Sequence, residues 1–379
     1  MFGTAIETTD EQALTRVSAE LKMAHDGKAL KVDPLTIKLD DSNIQGYVHV
    51  LDPEGPVLRS DIEIDSLNVD RYLPPPAEGE QEQAQAAASE PAAAAADPFS
   101  ALRKLDLVAD ARIGTLVANQ LNMQDIRVKV VSKDGVLQAK PIGARLYQGE
   151  FDGETTLDAR GKQPKLHARN DLTGIQIGPL LNDLVGHDRL LGTGAVHFDL
   201  RTVGLSETEI RRSLSGNARF DFQNGAYKGV NLAALIRQAG GLLGGSAGGG
   251  SATGAGAQTD FSEMSGSATI SNGLISNNDL KAKSPLLRLD GKGKVNLQKD
   301  TIDYTVTTTL VDSLEGQGGK ESDKLTGVPI PVRIKGPLSD PSYSPDLSEA
   351  AKAKVQEKVQ EEIQKKVGGQ AGDILGDKL

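Results

Sequence analysis

Ile126-Arg127-Val128-Lys129-Val130 alternates apolar with charged side chains, residue by residue. Successive side chains of a strand point to opposite faces, so this run has one apolar and one wet face. The same period of two extends in both directions. Toward the N-terminus, Leu35, Ile37 and Leu39 alternate with Thr36 and Lys38, Val48 and Val50 flank His49, and Ile62 and Ile64 follow Asp61 and Glu63. Toward the C-terminus, Val196, Phe198 and Leu200 enclose His197 and Asp199. Phe220/Phe222, Leu287/Leu289 and Ile302/Tyr304/Val306 repeat the pattern. About fifteen such strands are expected, and their one-sided apolarity predicts a mainly β, antiparallel sheet. Leu14 to Met23 fits a helix through Leu14, Val17 and Leu21, and a strand through Val17, Ala19, Leu21 and Met23; the strand is favoured.

Helical spacing is confined to short pieces. Asp97-Pro98 reads as a cap with Pro at the first helical position, ahead of Phe99 and Leu102. Pro179 to Val185 and Asn231 to Leu243 are further candidates. Ser348 to Val367 reads as an amphipathic helix, with Val355, Val359, Ile363 and Val367 four apart among Lys, Glu and Gln. Its apolar stripe is expected to dock on the end of the sheet. Two segments lack the apolar residues to repay ordering: Pro74 to Ala96, rich in Pro, Ala, Glu and Gln, and Gly244 to Gln258, rich in Gly, Ser and Ala. The expected organisation is an N-terminal β segment at 1–73, a linker at 74–97, a larger β region at 98–345 with a flexible loop at 244–258, and a C-terminal helix and tail at 346–379.

Four stretches share an apolar residue, a Gly two positions on, a small residue and then alternation: Leu190 to Val196, Leu214 to Phe220, Met264 to Ile270 and Leu289 to Val295. They read as a recurrent strand unit. With so few helices to cover them, the strands must pair into a sandwich, close into a barrel or curl into a half-pipe. A membrane barrel fits worst, because Trp girdles are absent and Gly/Ala linkers interrupt the strands. Periodicity does not separate sandwich from half-pipe.

Composition removes several functional classes. A net charge of -10 argues against nucleic acid, and aromatics at 3% argue against stacking platforms. Zero Cys excludes disulfides and thiolate metal sites. His25, His49, His167, His187 and His197 lack metal-ligand spacing and are expected on solvated surface. Asp61, Glu63 and Asp65 lack the Gly and terminal Glu of a calcium loop. Gly244 to Gly248 matches a nucleophile elbow only formally, since no strand enters it. Gly319-Lys320 is followed by Glu321, so there is no phosphate loop. No cofactor, metal or catalytic set is expected, and the chain is not expected to be an enzyme. No stretch is long and apolar enough to span a bilayer as a helix, and Met1 to Asp10 has no secretion signal; an anchor is expected to lie upstream.

Several stretches, in order, resemble the C-terminal region of the AsmA family. They are Leu39 to Gly46 followed by Val48 and Val50; Asp65 to Pro74, ending Asp70-Arg71-Tyr72-Leu73-Pro74; Leu146-Tyr147-Gln148-Gly149; Leu214-Ser215-Gly216; Gly225 to Leu232; and Pro329 to Pro337 with Asp340-Pro341. The resemblance implies an extended twisted sheet curled into a groove, related to bridge-like lipid-transfer proteins. It also implies a periplasmic location, an inner-membrane anchor absent from this chain, and a role in outer-membrane biogenesis. On this reading phospholipid is the partner, with outer-membrane components as further contacts. The candidate lining is the apolar set Val48, Val50, Ile62, Ile64, Ile126, Val128, Val130, Val196, Phe198, Leu200, Phe220, Phe222, Leu287, Leu289, Ile302, Tyr304 and Val306. A scaffold or chaperone-like factor influencing outer-membrane protein assembly or targeting is the competing expectation.

Overall fold

A computed structural model describes residues 8–52, 55–74, 97, 99–236, 238, 252–311, 327–346 and 348. Strand accounts for 67% of the described residues, so the chain is mainly β as the alternation predicts. Two compact units are present: Met1–Phe220 with Thr269–Gly273, and Asp221–Ala268 with Leu274–Leu379.

The first unit runs through β1 (Val17–His25), β2 (Leu30–Leu39), β3 (Ser42–Asp52), β4 (Val57–Asn68), β5 (Asp106–Ala118), β6 (Leu121–Lys133), β7 (Val136–Leu146), β8 (Gly149–Asp158), β9 (Lys165–Gln176) and β10 (Leu190–Val203). Each pairs with the next in chain order. All these pairs are antiparallel except β4 with β5, which corrects the uniformly antiparallel expectation. A parallel neighbour needs a long crossover, and residues 69–105 supply it. The two sides of the stretch read as a linker therefore belong to one sheet. Residues 75–96 themselves lie outside the described residues.

Register shifts fall between Val32 and Leu35 in β2 and between Ala139 and Ile142 in β7. Each brackets a proline, Pro34 or Pro141, which has no N–H to give the ladder. Helix α1 (Ile177–Val185) forms where Pro179 to Val185 was expected, starting two residues earlier. Helix α2 (Glu207–Ser213) begins with a capping box. Ser206 accepts the Glu209 N–H, and the Glu209 carboxylate accepts the Ser206 N–H at 3.1 Å. The helix expected at Asp97 is instead a run of turns over residues 99–104. Asp97 Oδ1 does accept the Phe99 N–H at 3.0 Å, but β5 claims the chain from Asp106 before a regular helix can extend.

The strands that follow are β11 (Ser215–Val230), β12 (Thr253–Ser271), β13 (Leu274–Lys283), β14 (Leu287–Asn296), β15 (Thr301–Leu310), β16 (Pro329–Pro337) and β17 (Ser342–Pro345). From β13 to β17 the pairing is antiparallel and in chain order. The flexible loop expected at 244–258 is overturned in its last six residues, where β12 already begins. Ala257 is buried, and Thr259 Oγ1 donates to Val230 O at 2.8 Å while accepting the Leu232 N–H at 3.0 Å. Small side chains here allow close strand packing rather than mobility. Residues 239–251, and the helix expected over Ser348 to Val367 apart from Ser348, lie outside the described residues.

The principal hydrophobic core belongs to the second unit. Val230, Leu232, Ile236, Leu287, Leu310, Ile330 and Val332 are nearly inaccessible, and Leu289 and Val306 join them. A helical turn at residues 232–236 carries Leu232 and Ile236 into this core. Asn231 starts that turn by accepting the Ala234 N–H at 2.8 Å. The four repeat-like glycines do not share one role. Gly216 opens β11 with φ +140°, and a Cβ there would lie 2.0 Å from Asp199 O. Gly291 lies within β14, and a Cβ there would come within 2.9 Å of the Tyr304 ring.

Candidate functional site

Residues directly opposite each other in a ladder share a face of the sheet, so the register can be followed across the first unit. One row reads Gly46, Ile62, Ala111, Val128, Ile142, Gly153, Asn170, Phe198. The row beside it reads Val48, Ser60, Ala109, Val130, Ala139, Thr155, Ala168, Leu200. A third carries Val50, Leu58, Leu107, Leu137, Leu157 and Leu166. On the other flank lie Ile44, Ile64, Ile113 and Ile126, then Phe151, Leu172 and Val196. Ten of the eleven candidate lining residues of this unit, Val48 to Leu200, thus fall on a single face.

The opposite face is ionic. Arg112 pairs with Asp61 at 2.7 Å and Lys129 with Asp110 at 3.8 Å. Asp199 gathers Arg169 at 2.8 Å, His167 at 2.9 Å and Arg201 at 3.2 Å, while His197 meets Asp171 at 2.5 Å. The Arg169 and His167 hydrogen bonds hold the Asp199 carboxyl below its ordinary pKa. His167 and His197 are therefore hydrogen-bonded to carboxylates rather than simply solvated. Pairs this exposed stabilise modestly, and their main effect is to fix which face is wet.

Among the ten, Ile126 is buried and the other nine are half-buried. The row containing Ile126 and Leu172 is the better covered. Helix α1 packs there, against β6, β9 and β10, and buries Ile177 and Leu180. Tyr147, in the β7–β8 turn, donates to Asp183 of α1 at 2.6 Å. Burial pushes the Tyr147 phenol up to about 12. The remaining rows form a broad apolar surface that is neither fully solvated nor closed into a core among the described residues.

The candidates in the second unit are placed differently. Leu287, Leu289 and Val306 belong to the core, and Phe222 is buried. Tyr304 packs against that core, donates to Asn277 Oδ1, and has its phenol pushed well up by burial. Ile302 and Phe220, the latter at the end of the first unit, are half-buried. The same alternation thus marks an open face in one unit and a closed core in the other.

Two of the stretches that carry the family resemblance, around Asp40 and at Asp70-Arg71-Tyr72, form corners of the sheet. Asp40 accepts N–H groups from Leu14 at 2.8 Å, Thr15 at 3.0 Å and Arg16 at 3.0 Å, and the Tyr72 hydroxyl at 3.0 Å. The Arg16 amide is the largest of the causes that lower its pKa to about 2. Arg71 pairs with Asp10 at 2.6 Å and Asp41 at 3.2 Å, and Asp70 accepts the Asn119 and Gln120 N–H groups at 2.6 and 2.8 Å. These residues clasp the hairpin ends of the sheet. Sequence spacing could not reveal that, because the partners lie up to 61 positions apart.

Among the described residues no cluster of three His, Asp or Glu could hold a metal ion, and no helix is long and apolar enough to cross a membrane. The Gly244 to Gly248 stretch lies outside the described residues. A cavity of about 500 Å³ at the ends of β8 to β10 is lined by Asp158, Lys165, His167 and Arg201 among others. Asp158 is taken by Arg160 at 2.7 Å, and His167 and Arg201 by Asp199, so its charges are largely spent within the protein.

A family model described as AsmA family matches residues 4–280. Protein AsmA of Escherichia coli (strain K12) is 24% identical over 333 residues, covering 84% of this chain and 52% of the relative. The chain spans about half the length of the curated relative it matches. No solved structure matches. The resemblance noted at Pro329 to Pro341 lies beyond the residues that the family model covers.

Proposed function

We propose, from the premise that this chain belongs to the AsmA family, that the apolar face of its first unit carries phospholipid acyl chains in transit between the inner and outer membranes of the cell envelope. The observation that carries the proposal is the single apolar face running from β3 to β10, where nine of the ten candidate residues are half-buried while the reverse face carries exposed ion pairs. Each methylene laid on such a surface gains up to about 0.8 kcal/mol, so an acyl chain is held without any special residue. Headgroups stay in water at the open side. No reaction is needed, and the role is that of a carrier supporting outer-membrane biogenesis from the periplasm rather than of an enzyme.

The test is to purify the chain without detergent and identify bound lipid by mass spectrometry. Phospholipid at a defined stoichiometry is the expected result. A lipid-free chain that also takes up none from phosphatidylethanolamine vesicles would overturn the proposal. It would leave a scaffold acting through protein contacts as the alternative.

A further inference from the structure

We infer that β1 is a docking edge for a second copy of this chain, which pairs with it antiparallel about a two-fold axis at Leu21. The inference is independent of what the apolar face carries. β1 pairs with β2 alone among the described residues, and all nine of its residues are exposed. The Arg16 carbonyl, just before the strand, faces β2 and accepts the Asp40 N–H at 2.7 Å. Backbone groups alternate sides along a strand, so those of Val17, Ala19, Leu21 and Met23 face away from β2. The same four residues are the apolar set of β1, with Val17 61% exposed, Leu21 46% and Met23 64%. Ala19 stands opposite Ile37 of β2, and Ile37 opposite Ile44 of β3, so β1 prolongs the apolar face and ends it in solvent. Proline and inward-pointing charges are the usual guards of such an edge, and these four positions hold neither.

Charge complementarity singles out a second copy as the occupant. The other face of β1 carries Glu20 and Lys22, and neither takes an ion pair within the chain among the described residues. With the axis at Leu21, Glu20 of each copy lies opposite Lys22 of the other, and Ala19 lies opposite Met23, a small side chain against a long one. Moving the axis one residue either way sets Glu20 against Glu20 or Lys22 against Lys22, so the charges fix the alignment. The three central pairs exchange about six backbone hydrogen bonds. The axis stands normal to the sheet, and the apolar faces of the two copies join into one.

The test begins with light scattering of the wild-type chain, whose mass should rise with concentration from 39.9 kDa toward twice that value. The chain has no cysteine, so single thiols report the register. Two Leu21→Cys thiols stand on a pair with Cα atoms about 5.5 Å apart, within disulfide reach, whereas Val17→Cys thiols lie about 27 Å apart. Under mild oxidation Leu21→Cys should form the disulfide dimer at least about tenfold faster than Val17→Cys. Glu20→Lys, which sets like charges opposite each other twice, should weaken the dimer about tenfold, and adding Lys22→Glu to it should restore the affinity. A wild-type mass that stays at one chain overturns the inference. So does a Leu21→Cys chain that oxidises no faster than Val17→Cys, or a dimer indifferent to Glu20→Lys. Assemblies larger than two copies overturn it as well, because two-fold pairing closes at the dimer. The wild-type measurement decides even if a variant fails to fold.

Discussion

Val128→Asp places a carboxylate at the centre of the apolar face, between Ala111 on β5 and Ile142 on β7. Its nearest neighbours along β6 on that face are Ile126 and Val130, so no cation stands ready to pair with it. In the lipid-free chain Val128 is half-buried, and water can reach the new group. The loss is then part of the valine burial and some desolvation, about 1–2 kcal/mol. Lipid occupancy changes the arithmetic, because hydrocarbon would cover the charge. Binding must then protonate the group: raising its pKa from about 3.9 to 7 costs about 4 kcal/mol, roughly a thousandfold in affinity. Leu289→Asp is the comparison, since Leu289 is 8% exposed in the closed core of the second unit and its loss should cost at least about 3–5 kcal/mol. Arg127→Asp, on the ionic face opposite Arg112, is the control that should change neither property. Hydrogen exchange at β6 and β14 reads local stability, and lipid counts by mass spectrometry read occupancy. Equal destabilisation by Val128→Asp and Leu289→Asp would show that the face of the first unit is a closed core. Unchanged lipid occupancy in Val128→Asp would remove it from the lipid path.

Asp40 has a folded pKa of about 2 against an ordinary 3.8, so its clasp is fully present above about pH 4 and is lost as pH falls toward 2; the amide shifts of Leu14, Thr15 and Arg16 should follow that titration, and a midpoint near 4 would contradict it. Gly291→Ala sets a methyl 2.5 Å from Leu280 Cδ2 and 2.8 Å from the Tyr304 hydroxyl, and should lower stability by about 1–3 kcal/mol in denaturant titration. Asn231→Ala removes the cap of the helical turn at 232–236 and should cost about 1 kcal/mol, seen as faster exchange of the Ala234 amide.

The period-two reading placed segments that fall in β1 to β4, β6, β10, β11, β14 and β15, because alternation is a local property of a half-buried sheet. Ile126 to Val130 lies inside β6, Leu35 to Leu39 inside β2, and Val196 to Leu200 inside β10. Three features escaped it for physical reasons. The parallel β4–β5 pair depends on where a long crossover returns the chain, which no local pattern records. The entry of β12 is built from Thr253, Gly254 and Ala257, whose small side chains resemble a linker until a neighbouring strand packs on them. The turns after Asp97 carry a valid cap signal, but a cap starts a helix without guaranteeing its length.

The candidate site was legible as a set of faces but not as open or closed. Val128 and Leu289 have the same sequence signature, apolar between charged neighbours, yet one is half-buried and the other belongs to a core. The difference comes from what lies over each sheet. In the second unit Asn231 turns the chain into a short helix that lowers Leu232 and Ile236 onto the strands, and the Tyr304 ring fills the space left by Gly291 and Gly293. In the first unit α1 packs by the row of Ile126 and Leu172 and α2 at the Thr202 end of β10, while Val128 and Val130 stay half-buried. On the proposed lipid-carrying reading, the path lies on the first unit. Leu287, Leu289 and Val306 act on it only through stability, and substitutions there should unfold the second unit before they alter what the open face binds.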